Sequence, residues 1–309
     1  DFSRLEQDVR ELLEAPPFLD YRARAKKLLK ACVMKSVAEG TKPDSFRNLL
    51  RLLPELDGRP DADLLALDLA VRMESGELAE NDLAAALRIA PNDVRLLSLA
   101  ALFHVSKNDF STALDDIAKI KRVSAKVDPR ILMLEFEALN GANRPDDASR
   151  RMKDLLAAEP SEEAAVAFWR FAVERGRETD LEFILTQKNL EFLHPFCRAE
   201  LLLRRGDAAS ALDILEKTPS ANSELVYHAA FVLASNGRNQ AAIRRYRELP
   251  GDDPNRLYID LNLSELYAEE KQPDLALRLA KSAWERTQGE SVPAQICYAR
   301  RLTERGELE

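Results

Sequence analysis

Gly206-Asp207-Ala208-Ala209-Ser210-Ala211-Leu212 sets a cadence that returns along the chain. A small or polar turn residue is followed, five positions on, by a small residue and then usually an aliphatic one. It recurs as Asn108…Ala113-Leu114, Asn143…Ala148-Ser149, Gly237…Ala242-Ile243 and Lys271…Ala276-Leu277, with Gly176…Leu181-Glu182 as a degenerate copy. The turn positions 108, 143, 176, 206, 237 and 271 lie 35, 33, 30, 31 and 34 residues apart. Self-similarity at about 34 residues is the mark of helix–turn–helix units stacked into a helical solenoid.

The intervening segments carry the matching helical signals. Leu96, Leu97, Ala100, Ala101 and His104, and likewise Leu225, Val226, Ala229, Ala230 and Leu233, repeat with the spacing of one buried helix face. Asp128-Pro129 and Asp253-Pro254 read as N-cap and first-turn pairs. Gly76, Gly176, Gly206, Gly237 and Gly306 stand where helices end. No strand-like alternation of any length occurs, so an all-α chain is expected.

On these residues the chain resembles the tetratricopeptide repeat family, whose units pair a small residue in the first helix with an Ala at the start of the second. The clearest match runs from Val94 through Ala101, Asn108, Ala113 and Ile120. The first-helix small position is filled by Ala101, Ala199, Ala230, Ser264 and Ala299, while the unit opening near Pro129 has Phe136 there. Two small residues facing one another let helix backbones approach to about 8–10 Å. The resemblance implies a right-handed α-solenoid over residues 60–309, truncated in its last unit. Residues 1–59 read as an irregular helical N-terminal cap, because terminal units of a solenoid are atypical. Within them, 2–14 form an amphipathic helix (Phe2, Leu5, Val9, Leu12, Leu13) stopped by Pro16-Pro17. Gly40…Ser45-Phe46 suggests one more turn between helices near 20–38 and 43–53. A separate small helical domain is the alternative for this segment.

Composition narrows the classes of function. With 45 basic and 53 acidic residues the net charge is −8, which argues against nucleic acid as a partner, since phosphate backbones need a concentrated positive field. The run Arg22, Arg24, Lys26, Lys27, Lys30 and Lys35 is the exception. It reads as a solvated helix face, or as a docking patch for acidic protein or anionic lipid. Cys32, Cys197 and Cys297 are isolated in apolar helical patterns and read as buried small hydrophobes, with no disulfide framework. No apolar run reaches the ~20 residues that span a bilayer. The chain opens at Asp1 without Met and stops soon after Gly306, which reads as an excised segment of a larger protein; its Ala/Leu/Arg-rich composition is compatible with a bacterial source, with cytoplasm and periplasm both open as its compartment.

No catalytic constellation stands out. His104 falls at an inward-facing repeat position, His194 beside Pro195 at a helix start, and His228 within the helix around 225–234. There is no metal-ligand spacing, no glycine-rich phosphate loop and no Gly-x-Ser-x-Gly nucleophile motif. The carboxylate pairs Asp115-Asp116 and Glu162-Glu163 are adjacent on helices and do not face each other. A non-enzymatic segment with no cofactor and no metal is expected.

The resemblance implies where a guest would lie: on a concave wall made by the first helix of each unit, at the second, fifth, ninth and twelfth repeat positions. Carried over by residue, the fifth is Ser98, Met133, Val166, Phe196, Tyr227, Leu261 and Ile296. The ninth is Leu102, Glu137, Arg170, Glu200, Phe231, Glu265 and Arg300, and Tyr258 is at a second position. Met133, Arg170, Phe196, Glu200, Tyr227, Phe231, Tyr258, Leu261, Glu265, Ile296 and Arg300 are therefore the candidate groove residues; ordinary packing between helices is the competing reading. The Lys and Asn set with which one subgroup of the family clamps a C-terminal carboxylate is missing; only Asn262 stands at a sixth position. The leading expectation is an interaction scaffold holding a partner peptide or helix. The alternatives are a periplasmic module of exopolysaccharide export, with polysaccharide as ligand, and a recruiting arm of a larger enzyme or regulator.

Overall fold

The computed structural model describes residues 2–14, 19–38, 47–56 and 61–307, which contain α-helices and short 3-10 turns and no strand. Two compact units divide the chain, Asp1–Glu159 and Pro160–Glu309. The first comprises α1 (Phe2–Glu14), α2 (Leu19–Ala38), α3 (Arg47–Leu52), α4 (Ala62–Glu74), α5 (Glu80–Ile89), α6 (Val94–Ser106), α7 (Phe110–Val123), α8 (Pro129–Gly141) and α9 (Pro145–Ala158). The second comprises α10 (Glu162–Glu174), α11 (Glu178–Thr186), α12 (His194–Arg204), α13 (Ala208–Lys217), α14 (Ser223–Ser235), α15 (Asn239–Glu248), α16 (Arg256–Glu269), α17 (Pro273–Arg286) and α18 (Val292–Glu304). From α4 onward even-numbered helices are the first, and odd-numbered helices the second, of successive hairpins.

The cadence residues do one conformational job. Asn108, Asn143, Gly176, Gly206, Gly237 and Lys271 all sit at left-handed φ, between 55° and 82°, as do Gly76 and Gly306. Behind each, the next amide reaches back five residues: Asp109 N–H donates to His104 O (2.8 Å), Asp207 N–H to Leu202 O (2.9 Å) and Gln272 N–H to Tyr267 O (2.8 Å). That bond closes the helix end in a Schellman turn. Asp207 and Asp109 then cap the following helix, accepting from Ser210 N–H (3.1 Å) and Thr112 N–H (3.2 Å). A seven-residue motif thus stops one helix and starts the next.

The small residues do the packing. Ala113, Ala148, Ala211, Ala242 and Ala276 are buried, as are Ala101, Ala199, Ala230 and Ser264. Ser264 Oγ donates to Ala276 O at 2.8 Å, a bond between helices that only short side chains at the crossing permit. Around these contacts Leu96, Leu97, Leu225 and Leu233 are fully enclosed, each contributing about 1.5–3 kcal/mol of burial. The hairpin α10–α11 breaks the rule. Trp169 and Leu181, both buried, stand where the other hairpins of the second unit have small residues, and α11 has only nine residues.

In the first unit Val9, Val33, Leu49, Leu50, Leu53 and Leu56 share one apolar cluster with Leu64 and Val71 of α4. His104 of α6 is buried between second helices, its Nδ1 2.9 Å from Asp116 Oδ2 on α7 and its Nε2 3.2 Å from both carboxylate oxygens of Glu80 on α5. Lys119 Nζ donates to Asp116 Oδ1 at 2.8 Å. Both ring nitrogens are committed to tying three helices together.

Two expectations are corrected. Asp253-Pro254 does not open α16, which begins at Arg256; Asp253 instead accepts from Asn255 N–H (2.8 Å) in the preceding turn. Cys32 is exposed, unlike Cys197 and Cys297, because the apolar residues of α2 are scattered around its circumference and only Val33 and Lys26 of the side chains described there are buried. The proposed turn Gly40…Ser45-Phe46, Pro16-Pro17 and the chain ends lie outside the described residues. No described helix is long and apolar enough to cross a membrane.

Candidate functional site

The candidate groove residues fall into three environments. In the second unit, Tyr227 and Phe231 lie one turn apart on α14, Tyr258, Leu261 and Glu265 share a face of α16, and Ile296 and Arg300 lie one turn apart on α18. These helices are neighbours at that face. Asn262 Nδ2 donates to the hydroxyl oxygens of Tyr227 (3.4 Å) and Tyr246 (2.9 Å), which joins α14 and α15 to α16. Glu265 accepts from Arg300 Nη1 (2.8 Å) and Arg301 Nη2 (2.6 Å), which joins α16 to α18. Phe231 is 51% exposed, Tyr258 54% and Ile296 54%, although all three are large and apolar in body. Tyr227 and Leu261 are half-buried between them, and burial raises the Tyr227 phenol above its ordinary value. The result is a row of exposed apolar side chains, edged by the Glu265–arginine cluster.

Around α10 and α12 the second environment is closed. The Trp169 ring meets Phe196 of α12 edge to face (6.2 Å between centroids) and His228 of α14 perpendicularly (4.8 Å). Arg170 Nη1 donates to Glu224 (3.1 Å), and Asn222 Nδ2 donates to Glu162 (2.9 Å). The first helix of one hairpin therefore touches the first helix two hairpins on. Phe196 is buried behind this contact, and Glu200 is paired with Arg204 at 2.7 Å. Phe196 thus backs the surface rather than standing on it, and Arg170 is held in a solvent-exposed ion pair with Glu224. Burial pushes the His228 imidazole down to about 4, so the ring packs as a neutral, largely enclosed group.

The third environment lies in the first unit, where Met133 is half-buried on α8. Here α6 and α8 leave a cleft of about 450 Å³ lined by Val94, Ser98, Leu99, Leu102, Ile131 and Leu134, with Ile120 at its base. Sequence reasoning placed Ser98 and Leu102 at groove positions but did not choose them. The signal was present in Leu102, an aliphatic residue at the ninth position.

No known sequence family matches the chain, and no curated protein does so either. Among solved structures, a tetratricopeptide repeat protein from Parabacteroides merdae superposes with a TM-score of 0.55 at 15% identity, over 78% of this chain and 98% of that one. The fold is a tetratricopeptide repeat array. Looser likenesses are Pseudomonas aeruginosa pilF (TM-score 0.43, 15% identity, 77% and 97% of the two chains) and the APC/C hetero-tetramer Cut9-Hcn1 (0.45, 15%, 91% and 59%). In tetratricopeptide terms, the exposed apolar row occupies the second, fifth and ninth positions of the last three first helices. The closed stretch coincides with the repeat whose small residue has become Trp169. No grouping of three metal-ligating side chains occurs among the described residues.

Proposed function

We propose that this tetratricopeptide array is an interaction scaffold, and that a peptide or helix of a partner protein docks on α14, α16 and α18. One observation carries the reading: Phe231, Tyr258 and Ile296 are each more than half exposed on adjoining helices. Because each is already about half covered, a partner burying the remainder would recover roughly half of the ~1.5–3 kcal/mol that full burial of such a side chain contributes. Aromatic anchors also lose few rotors on binding, which suits them to hot spots. Glu265 and Arg300 supply a charged edge that fixes register, with buried Arg301 holding Glu265 from behind. The stacked hairpins behind the row hold it in place, so little ordering opposes association. In this reading the helices within 1–59 cap the array.

The test is capture of partners by wild type and by the variant Phe231→Ala/Tyr258→Ala, compared quantitatively. Loss of about 2 kcal/mol per truncated anchor should remove the specific partners, while the melting temperature stays close to that of wild type. Unchanged capture would place the interaction elsewhere. A large fall in melting temperature would show that the two rings are packing residues.

A further inference from the structure

The basic run of α2 divides between two faces of the helix. Arg22, Lys26 and Lys30 belong to the inner face and are committed there. Arg22 Nη2 donates to Leu13 O of α1 (2.9 Å), Lys26 is buried, and Lys30 Nζ meets Asp61 (2.7 Å) and Asp63 (2.5 Å) at the start of α4. Val33 and Leu29 fill the same side, in the apolar cluster shared with α1, α3 and α4.

The opposite face is open to solvent. Arg24, Lys27, Leu28, Ala31, Met34 and Lys35 recur on it at intervals of three and four residues, and all six are exposed. Leu28 is 70% exposed and Met34 39%. Cys32, beside them, is exposed as well. No Asp or Glu occurs between Asp20 and Glu39, so nothing further along the helix neutralises these cations. Arg24 and Lys27 have no carboxylate partner among the described residues. Along the axis, Arg24 and Lys27 come first, Leu28, Ala31, Cys32 and Met34 follow, and Lys35 closes the row. An apolar patch thus carries cations at both ends, over about 16 Å of helix.

Charge and shape select the occupant. α2 concentrates six cations against Asp20 alone, in a chain whose net charge is −8. A second copy of the face would bring like charges together, which opposes pairing. Nucleic acid calls for a wider positive field and leaves Leu28 and Met34 unused. A folded acidic partner needs a groove to receive Leu28, which stands out from a convex helix. The interface of a bilayer needs none: its headgroups supply phosphates, and the acyl boundary beneath receives protruding apolar side chains.

We propose that the outer face of α2 lays the protein on an anionic bilayer surface. Arg24, Lys27 and Lys35 meet headgroup phosphates, and Leu28 and Met34 enter the interface between them. The helix lies along the surface and does not cross it. Attachment is reversible, because three cations and two apolar side chains form one modest anchor. The assignment goes beyond partner docking on α14, α16 and α18 and does not depend on it.

The test is co-sedimentation of the full chain with vesicles of phosphatidylcholine alone and with vesicles that also contain phosphatidylglycerol. Binding should favour the anionic vesicles by about tenfold or more and weaken with added salt. Arg24→Glu/Lys27→Glu should weaken it by about tenfold or more, and Leu28→Ser by about fivefold, with unchanged melting because all three positions are exposed. Lys126→Glu/Lys217→Glu makes the same change of charge at exposed positions elsewhere and should bind as wild type does. An environment-sensitive dye on Cys32, the exposed thiol of the three, should shift to the blue with anionic vesicles only. Equal binding to both vesicles, no binding to either, or equal loss in the two double variants would overturn the assignment. Indifference to Leu28→Ser together with full competition by polyglutamate would overturn it in favour of an acidic protein segment. Phe231→Ala/Tyr258→Ala should leave vesicle binding unaltered, so this surface and the α14–α18 row can fail separately.

Discussion

Adding one methyl group at Gly206 isolates the conformational cost of the repeat turn. The residue sits at φ 82°, and a Cβ placed there would have no atom within 4 Å. Steric clash with the surroundings therefore contributes nothing, and the backbone alone decides. A left-handed conformation costs an L-residue about 1–2 kcal/mol. Against that, Gly206→Ala restricts the unfolded chain and regains about 0.4–1 kcal/mol. The net expectation is destabilisation by about 1 kcal/mol. Lys271 supplies the reverse experiment, because it occupies the same repeat position at φ 58° with an exposed side chain. Lys271→Gly should stabilise by about 0.5–1 kcal/mol by the same arithmetic. Gly251 supplies the control: it has no left-handed φ, and a methyl group added there would meet no atom within 4 Å, so Gly251→Ala should be neutral or slightly stabilising. Urea unfolding followed by far-UV circular dichroism reads all three, and unchanged m-values would confirm that only stability moved. A neutral Gly206→Ala, or a destabilising Lys271→Gly, would refute the assignment of these residues to one turn conformation.

Further outcomes follow from burial and charge. Trp169→Ala should cost about 3–5 kcal/mol, whereas Phe231→Ala should stay within about 0.5 kcal/mol of wild type; both are read by denaturant midpoints. Arg245 is buried and its Nη2 donates to the carbonyls of Leu215 (2.9 Å), Glu216 (3.1 Å) and Thr218 at the end of α13. Arg245→Ala should cost about 2–3 kcal/mol through unpaired carbonyls, measured in the same way. His228 has its folded value pushed by burial from 6.5 to about 4. Its stabilising contribution is complete above about pH 6.5 and is lost as pH falls towards 4, because the unfolded chain takes up a proton that the folded ring refuses. Wild type should therefore lose about 2 kcal/mol more than His228→Phe between about pH 7 and pH 5, and equal losses would contradict the enclosed ring. Burial also pushes the Cys197 thiol up to about 12, so a thiol alkylating reagent should modify exposed Cys32 first and Cys197 only on unfolding, as mass spectrometry would show.

The repeats were legible because turn chemistry is local. Five positions of spacing fix a left-handed residue and a small contact residue, and the structure places both together even where Asn108, Asn143 or Lys271 replaces glycine, with a capping side chain added at Asp109 and Asp207. Helix faces such as Leu225, Val226, Ala229, Ala230 and Leu233 were legible for the same reason, since periodicity reports burial directly. What sequence could not supply was contact between hairpins that are not consecutive. Trp169 signals a departure from the small-residue rule, but that its ring lies against His228, and that Arg170 pairs with Glu224, depends on how three hairpins stack. Phe196 is enclosed for that reason. Asp253-Pro254 misled because the pattern of a cap also suits a turn, and Cys32 because the scattered apolar residues of α2 do not define one buried face. The cleft over Leu102 was overlooked for a related reason. Its volume belongs to the gap between two helices and to no single residue.

Photo-crosslinking along the array tests the interaction surface most directly. A benzophenone side chain placed at 231, 258 or 296 should capture the same partner protein, identified by mass spectrometry. The same group at Lys217 or Arg244, exposed on second helices of the same unit, should capture none of it. Equal capture from all five positions, or capture only from 217 and 244, would contradict docking on α14, α16 and α18.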